Sequence, residues 1–147
     1  MKPAKLTKKQ LNEQFIPKTP FNQLIGVRVT KEHADGLTIE CTVRDELRNG
    51  AGSLHGGVTA ALSDAAVGMA VFRHFGGKRP IATTELKLNY FLPVMEGKLY
   101  ARARLLRIGS TLCVGSVELT DSKKRSVGAA LISYMLLDTR SAKTITE

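Results

Sequence analysis

Tryptophan is absent from the sequence, cysteine occurs only twice, and aromatic residues make up 5% of the 147 positions. The two cysteines, Cys41 and Cys113, form no Cys-x-x-Cys motif, which excludes a disulfide scaffold and a structural zinc site. No set of His, Cys or carboxylate residues has the spacing of metal ligands, so we expect no bound metal. Sparse cysteine also suits a reducing compartment, and we predict a cytoplasmic protein.

A long uninterrupted apolar run is also missing. The longest stretch, residues 58–72, contains Asp64 and is shorter than the roughly 20 apolar residues that a membrane helix needs. Residues 1–15 include four lysines but neither the apolar core nor the cleavage site of a secretory signal. We therefore expect no membrane insertion and no export.

Positive charge is abundant instead, since 22 Lys and Arg against 13 Asp and Glu give a net charge of +9. The length and the 43% hydrophobic content suit one packed domain. We predict an N-terminal tail or short helix at residues 1–19, one domain at residues 20–140 and a C-terminal tail at residues 141–147. Thr7 and Gln10 have the spacing of a capping box, which predicts a helix at 8–15 that Pro17 and Pro20 end.

Alternation of apolar and polar residues predicts two strands, at 27–30 and 37–43, joined into a hairpin by a turn at Asp35-Gly36. After a polar loop, apolar residues recur at helical spacing from residue 55, which predicts a helix of about 20 residues. Further strands are predicted at 80–92, 97–107, 111–121 and 126–138. This order, ββαββββ, indicates an α+β fold in which a meander of antiparallel strands wraps around the long helix.

Asp64 is the only charged residue between positions 58 and 72, in a helix that is apolar on nearly every side. Such a helix is buried all round, and a buried carboxylate costs several kcal/mol unless it is paired or hydrogen-bonded. Asp64 is therefore the first candidate for a functional residue. The alternative is that the helix turns Asp64 toward water or an arginine, since ion-pair networks also bury carboxylates.

The sequence His55-Gly56-Gly57 stands at the start of this helix. Free N–H groups in the first turn, together with the positive end of the helix dipole, form a site for a developing oxyanion. Glycine lets a ligand approach this backbone closely. Two simpler readings stay open here: the glycines form only a turn, and His55 only caps the helix or packs against it.

Taken together, Asn49, His55-Gly56-Gly57 and Asp64 resemble the signature of the hot-dog-fold thioesterases. The likeness is greatest to the phenylacetate-degradation (PaaI-like) branch, which acts on acyl-coenzyme A. The strand that begins Thr83-Thr84-Glu85 continues the resemblance, which covers about residues 20–138. It implies a hot-dog fold, in which six antiparallel strands wrap a long central helix, here with a short N-terminal helix added.

The resemblance also implies a role for each matching residue. The Gly56 N–H would hold the oxyanion, with Gly57 beside it in contact with substrate, and Asn49 would bind the thioester carbonyl. Asp64 would act as general base on water, or as a nucleophile through a transient anhydride. His55 would orient the loop or the substrate.

Thr83 matches a hydroxyl position that holds the attacking water. Its position in the alternation of the strand groups it with polar Glu85, Lys87 and Asn89, so exposure to solvent is the alternative.

The resemblance further implies a homodimer or homotetramer with its sites at the dimer interface, where the Asn-bearing loop and the Asp-bearing helix come from different subunits. No cofactor is expected, because coenzyme A is part of the substrate. A cationic stripe on one strand, extended by a nearby arginine, is predicted to bind the coenzyme A phosphates, at Lys98, Arg102, Arg104 and Arg107. The alternative for each of these residues is a solvated surface charge.

Acyl-CoA hydrolysis is thus the function that the sequence favours. The alternatives are a hot-dog hydratase or dehydratase acting on 3-hydroxyacyl thioesters, and a non-catalytic acyl-CoA-binding regulatory domain. Nucleic-acid binding is disfavoured, because basic residues are not interleaved with aromatic ones and no predicted helix has a basic face.

Overall fold

The computed structural model describes residues 2–139. Its helices are α1 (Lys8–Gln10), α2 (Pro20–Ile25) and α3 (Gly56–His74). Its strands are β1 (Arg28–His33), β2 (Gly36–Thr42), β3 (Ile81–Tyr90), β4 (Lys98–Ile108), β5 (Leu112–Asp121) and β6 (Ser126–Leu136). All the pairings are antiparallel, in the order β1-β2-β4-β5-β6-β3 across one sheet.

The sheet wraps around α3 because apolar side chains at alternate positions of β2, β4, β5 and β6 face the helix. The side chains of Ile39 on β2 and Leu99 on β4 are fully buried, as is Leu62 on α3. Close approach of helix and sheet depends on Gly115 of β5, where an added Cβ would lie 2.7 Å from Val67. The predicted hot-dog fold of order ββαββββ is confirmed.

The prediction of a simple meander is wrong for β3. Strands β4, β5 and β6 do follow one another across the sheet, but β3 pairs only with β6, at the far edge. The reason is the length of α3: its 19 residues span about 28 Å and carry the chain from β2 across the concave face. As a result, β3 forms an edge of the sheet, and within residues 2–139 no strand pairs with its outer side.

The N-terminal segment, residues 8–25, begins with the predicted capping box between Thr7 and Gln10. The predicted helix at 8–15 is present as α1 followed by a π-helical turn at Leu11–Phe15, and it ends before Pro17. Pro17 lies in a 3-10 turn, and Pro20 is the first residue of α2. Proline suits the first turn of a helix because the N–H that it lacks has no intrahelical partner there.

The N-terminal segment packs on the sheet and helix, with Leu11 and Ile16 buried. The Asn12 side chain donates to the Val29 carbonyl and accepts from the Val29 N–H, both at 2.9 Å. The division of the chain at residues 20 and 140 stays a prediction, and the predicted tail at 141–147 lies outside the described residues. Within residues 2–139, no helix has the length and hydropathy to span a membrane.

Candidate active site

The Asp64 carboxylate is half-buried on α3 and is held by two hydroxyl groups. Its Oδ1 accepts a hydrogen bond of 2.9 Å from Thr83 Oγ1 and one of 2.6 Å from the Tyr134 hydroxyl. The partners of Asp64 are therefore neutral donors from β3 and β6 rather than an arginine. They fix the orientation of the carboxylate and leave Oδ2 as the atom that can contact a water molecule or a substrate.

Thr83 reaches Asp64 because β3 contains a bulge. Thr83 pairs with Tyr134, but Glu85 pairs with Ser133, so Thr84 is an extra residue in the strand. Because a bulge reverses the alternation, Thr83 faces α3 whereas Glu85 faces away from it. The interpretation of Thr83 as a purely solvent-facing residue is therefore wrong, although the residue is accessible to solvent at the sheet edge.

Tyr134 is a residue of this site that the sequence analysis missed. Burial, and after it the Asp64 carboxylate, raises the pKa of the Tyr134 phenol, so the hydroxyl keeps its proton and donates a hydrogen bond to Asp64. The signal that could have found it is Gly68, one turn after Asp64 in a helix where glycine costs about 1 kcal/mol relative to alanine. A Cβ at Gly68 would lie 2.5 Å from the Tyr134 hydroxyl oxygen.

Two aromatic side chains form hydrogen bonds with the backbone of the first turn of α3. His55 is the N-cap, and its Nδ1 accepts a hydrogen bond of 2.8 Å from the Gly57 N–H. The Tyr90 hydroxyl donates to the Gly56 carbonyl at 2.6 Å. The Gly56 N–H is the first of the helix and has no intrahelical partner, so it can bind an oxyanion. The structure thus gives His55 a capping role, while the substrate contact of Gly57 stays a prediction.

Asn49 organises the loop that precedes α3. Its Nδ2 donates to Ser53 Oγ at 2.9 Å, and its Oδ1 accepts from the N–H groups of Ala51 and Ser53. An amide nitrogen carries two hydrogens, so one stays available for a carbonyl. Together with Gly56, Asn49 lines a groove of about 310 Å³.

The structure does not bring Asp64 together with Asn49 and Gly56 in one chain. Asp64 lines a different cavity of about 570 Å³, on the other side of α3. Gly56 and Asp64 are also about 12 Å apart along the helix axis, too far for one thioester carbonyl to contact both. A single chain therefore has two half-sites: Asp64, Thr83 and Tyr134 form the carboxylate half-site, and Asn49 and Gly56 form the oxyanion half-site.

The cationic stripe lies on the face of the sheet that points away from α3, and each of its three members has an acidic partner. The N···O distances are 2.7 Å for Lys98 with Glu40, 2.5 Å for Arg102 with Asp35, and 2.5 Å for Arg104 with Glu118. A bulge at Leu106 places Arg107 on the same outer face. Phosphate binding by these residues stays a prediction, and the acidic partners would compete with the phosphates.

The two thiols are poor candidates for a nucleophile. Both are buried, and burial raises the pKa of Cys41 to about 11, so this thiol is protonated near neutral pH. In the part of the chain that the structure describes, no three His, Cys, Asp or Glu side chains are grouped as metal ligands.

A family model described as the thioesterase superfamily matches residues 51–127. Acyl-coenzyme A thioesterase 13 of Homo sapiens is 33% identical over 103 residues, which are 69% of this chain and 73% of the relative. The medium/long-chain acyl-CoA thioesterase YigI of Escherichia coli is 27% identical over 143 residues, covering 87% of this chain and 92% of the relative.

Among solved structures, the PaaI protein from the phenylacetic acid degradation operon of Escherichia coli superposes with a TM-score of 0.78. At 18% identity it covers 89% of this chain and 94% of its own, which supports the fold. The predicted family is thereby confirmed. The chain belongs to the thioesterase superfamily and is a thioester hydrolase.

Proposed function

We propose that the protein hydrolyses acyl-CoA thioesters to a free acid and coenzyme A, in a site assembled from two subunits. The observation that carries this proposal is the Asp64 carboxylate, oriented by two hydroxyls on the wall of an apolar cavity. The names of the human and bacterial relatives support acyl-CoA as the substrate. Free, buried cysteines suit the cytoplasm as its location, and the reaction needs no cofactor.

The two half-sites would divide the reaction between them. The Gly56 N–H, with Asn49, binds the thioester carbonyl oxygen and stabilises the negative charge that develops on it. Asp64 takes a proton from water as the water oxygen bonds to the carbonyl carbon, the C–S bond breaks, and the proton passes to the coenzyme A sulfur. In the alternative route, Asp64 itself attacks, expels the thiolate and forms an anhydride that water then hydrolyses.

In a single turnover with enzyme in excess, oxygen-18 water identifies the nucleophilic route when water attacks the Asp64 carboxyl carbon, whereas attack of water on the acyl carbon labels the acid by either route. If Asp64 is a general base, the label enters the product acid directly. If Asp64 is a nucleophile and water attacks the Asp64 carboxyl carbon of the anhydride, the label enters Asp64 and the product acid stays unlabelled in that turnover. Mass spectrometry of the acid and of the peptide containing Asp64 distinguishes the outcomes.

A homodimer would unite the half-sites. Among the residues that the structure describes, no strand pairs with the outer edge of β3, and such an edge is a template for pairing with another chain. Pairing β3 with β3 of a second copy would extend the sheet and bring the carboxylate half-site of one subunit toward the oxyanion half-site of the other. Each dimer would then contain two complete sites.

The hydratase alternative fits the geometry less well. It requires a histidine that is free to exchange a proton with the substrate next to a carboxylate. Here His55 Nδ1 accepts the Gly57 N–H, and Asp64 is bonded to Thr83 and Tyr134 instead.

The proposed function is tested by incubating the protein with acyl-CoA thioesters and detecting free coenzyme A with a thiol reagent. We expect thiol release on many turnovers, with one acid formed per thiol. Loss of enoyl absorbance without thiol release would support the hydratase, and binding without turnover would support a non-catalytic domain. Either result would overturn the proposal.

Thr83→Val should lower kcat by about tenfold, because a hydrogen bond to a charged acceptor contributes about 1.5–3 kcal/mol. Tyr134→Phe should have an effect of the same size. The matched control is Thr84→Val, since the Thr84 hydroxyl donates to the Ser133 carbonyl and not to Asp64. Steady-state kinetics of the three variants would contradict this role if Thr84→Val reduced kcat as much as Thr83→Val.

A further inference from the structure

We infer that Tyr90 is a positioning residue for hydrolysis. Through the Gly56 carbonyl, its hydroxyl fixes the peptide group between Gly56 and Gly57, and thereby the direction of the Gly56 N–H. The role rests on the proposed function and deepens it at the oxyanion half-site. Tyr90 would contact no reacting atom, and its effect on the reaction would pass through the backbone of α3.

The peptide group between Gly56 and Gly57 is held at both ends. Its carbonyl accepts a hydrogen bond of 2.6 Å from the Tyr90 hydroxyl, and its N–H donates to His55 Nδ1 at 2.8 Å. Glycine has the greatest backbone freedom of any residue, so two glycines in succession would leave the first turn of α3 poorly fixed. Because this peptide group is joined to the Gly56 Cα, holding it also limits how the Gly56 N–H can turn.

The Gly56 carbonyl does not need Tyr90 to be hydrogen-bonded. In an α-helix, a carbonyl accepts from the N–H four residues later, which is Ala60 here. A carbonyl oxygen has two lone pairs, so Tyr90 adds a second donor to a group that is already paired. Tyr90 is also 55% exposed, so water can satisfy its hydroxyl. The bond between them therefore fixes geometry rather than satisfying a buried polar group.

Each of the two glycines leaves room for one of the side chains that hold the peptide group. A Cβ at Gly56 would lie 3.2 Å from the Tyr90 hydroxyl oxygen and 3.4 Å from two of its ring carbons. A Cβ at Gly57 would lie 2.9 Å from His55 Nδ1. The glycine pair thus fits Tyr90 and His55 closely before any substrate is bound.

One strand supplies a hydroxyl to each half-site. Thr83 donates to Asp64 from near the start of β3, and Tyr90 donates to Gly56 from its end. In the proposed homodimer, two antiparallel β3 strands that pair along their whole length would bring the start of one strand beside the end of the other. The hydroxyls that orient one complete site would then come from two copies of the same strand.

Tyr90→Phe should lower kcat about tenfold and leave KM within about twofold, because the groove keeps its shape while the N–H is less well aimed at the oxyanion. Loss of an oxyanion donor itself costs about 100- to 1,000-fold in kcat, so a misdirected donor should cost less. Steady-state kinetics measure both constants. An unchanged kcat would overturn the inference.

Tyr100→Phe is the matched control. It removes the same hydroxyl from β4, where Tyr100 lies between buried Leu99 and Ala101 and so faces away from α3. We expect kcat to change less than twofold, and thermal unfolding shows whether both variants are folded at the assay temperature. A loss of kcat in Tyr100→Phe as large as in Tyr90→Phe would contradict the positioning role.

Nuclear magnetic resonance of protein labelled with 15N-glycine observes the peptide group directly. The Gly57 amide resonance should move in Tyr90→Phe, because this amide shares a peptide group with the Gly56 carbonyl. The resonance of Gly109, in the turn between β4 and β5, should stay in place. An unmoved Gly57 resonance would overturn the inference.

A double-mutant cycle with His55→Ala tests whether Tyr90 and His55 act through one peptide group. If they do, kcat of the double variant should lie within about threefold of the lower single variant, since one substitution already releases the peptide group. Fully multiplied losses would overturn the shared role. Absence of hydrolysis by the wild type would overturn the proposed function itself, while the glycine resonances would still decide whether Tyr90 fixes the peptide group.

Discussion

Asp64→Asn should lower kcat on the best acyl-CoA substrate by on the order of 100-fold or more, because the amide can act neither as a base nor as a carboxylate nucleophile. The amide oxygen still accepts hydrogen bonds from Thr83 and Tyr134, so the shape of the site and the fold should survive. Steady-state kinetics measure the effect, and a thermal unfolding curve measures stability. Activity within about threefold of wild type would remove Asp64 from the mechanism.

Asp121→Asn provides the matched control. Asp121 is more buried than Asp64, but its carboxylate accepts from the N–H groups of Lys123 and Arg125 and from the Arg125 side chain, in a turn between β5 and β6. We expect Asp121→Asn to lower the unfolding temperature and to change kcat less than twofold. Comparison of kcat and unfolding temperature between Asp64→Asn and Asp121→Asn would thus separate a catalytic effect from a structural one.

Mixing Asn49→Ala with Asp64→Ala should restore activity that neither variant has alone. If each site takes Asn49 from one subunit and Asp64 from the other, a heterodimer contains one intact site. Free exchange at equal concentrations makes half of the dimers heterodimers, so about a quarter of the wild-type activity should return. Thiol release before and after exchange measures the recovery, and mass spectrometry of the intact dimers verifies exchange.

The control is an equal mixture of wild type with a variant that carries both substitutions. A double variant, Asn49→Ala with Asp64→Ala, forms heterodimers with wild type that contain no intact site. Exchange should therefore halve the activity of an equal mixture if the sites are shared. No recovery in the first mixture and no loss in the second, with exchange verified, would show that each subunit holds a whole site or that one residue is not catalytic.

Local features of the sequence predicted the fold and the start of α3 well. Strand alternation and helical spacing involve neighbouring residues, and the capping box at Thr7 is a short motif. The hairpin turn lies at Ala34-Asp35, one residue before the predicted Asp35-Gly36, because Gly36 pairs with His33 in the ladder. The contact between Thr83 and Asp64 could not be predicted from alternation, because an extra residue in β3 shows only in its pairing with β6. Tyr134 was missed for a similar reason, since it meets α3 only after the sheet has closed around the helix.

The charged surface shows the same limit. The spacing of Lys98, Arg102 and Arg104 correctly places them on one face of a strand, but spacing within a strand says nothing about the neighbouring strands. Their partners Glu40 on β2 and Glu118 on β5 are brought beside them by strand pairing. One segment of sequence therefore cannot show whether a basic side chain on a strand is paired with an acidic one.

The contact between Gly68 and Tyr134 restricts how this site can vary among related proteins. With the phenol in place, even the methyl group of alanine at position 68 would come within 2.5 Å of its oxygen. Substitution at either position alone would therefore displace the tyrosine or leave a void, so the two positions should change as a pair. A relative with a larger residue at the position of Gly68 should orient its carboxylate with a different donor, and aligned sequences would reveal that exchange.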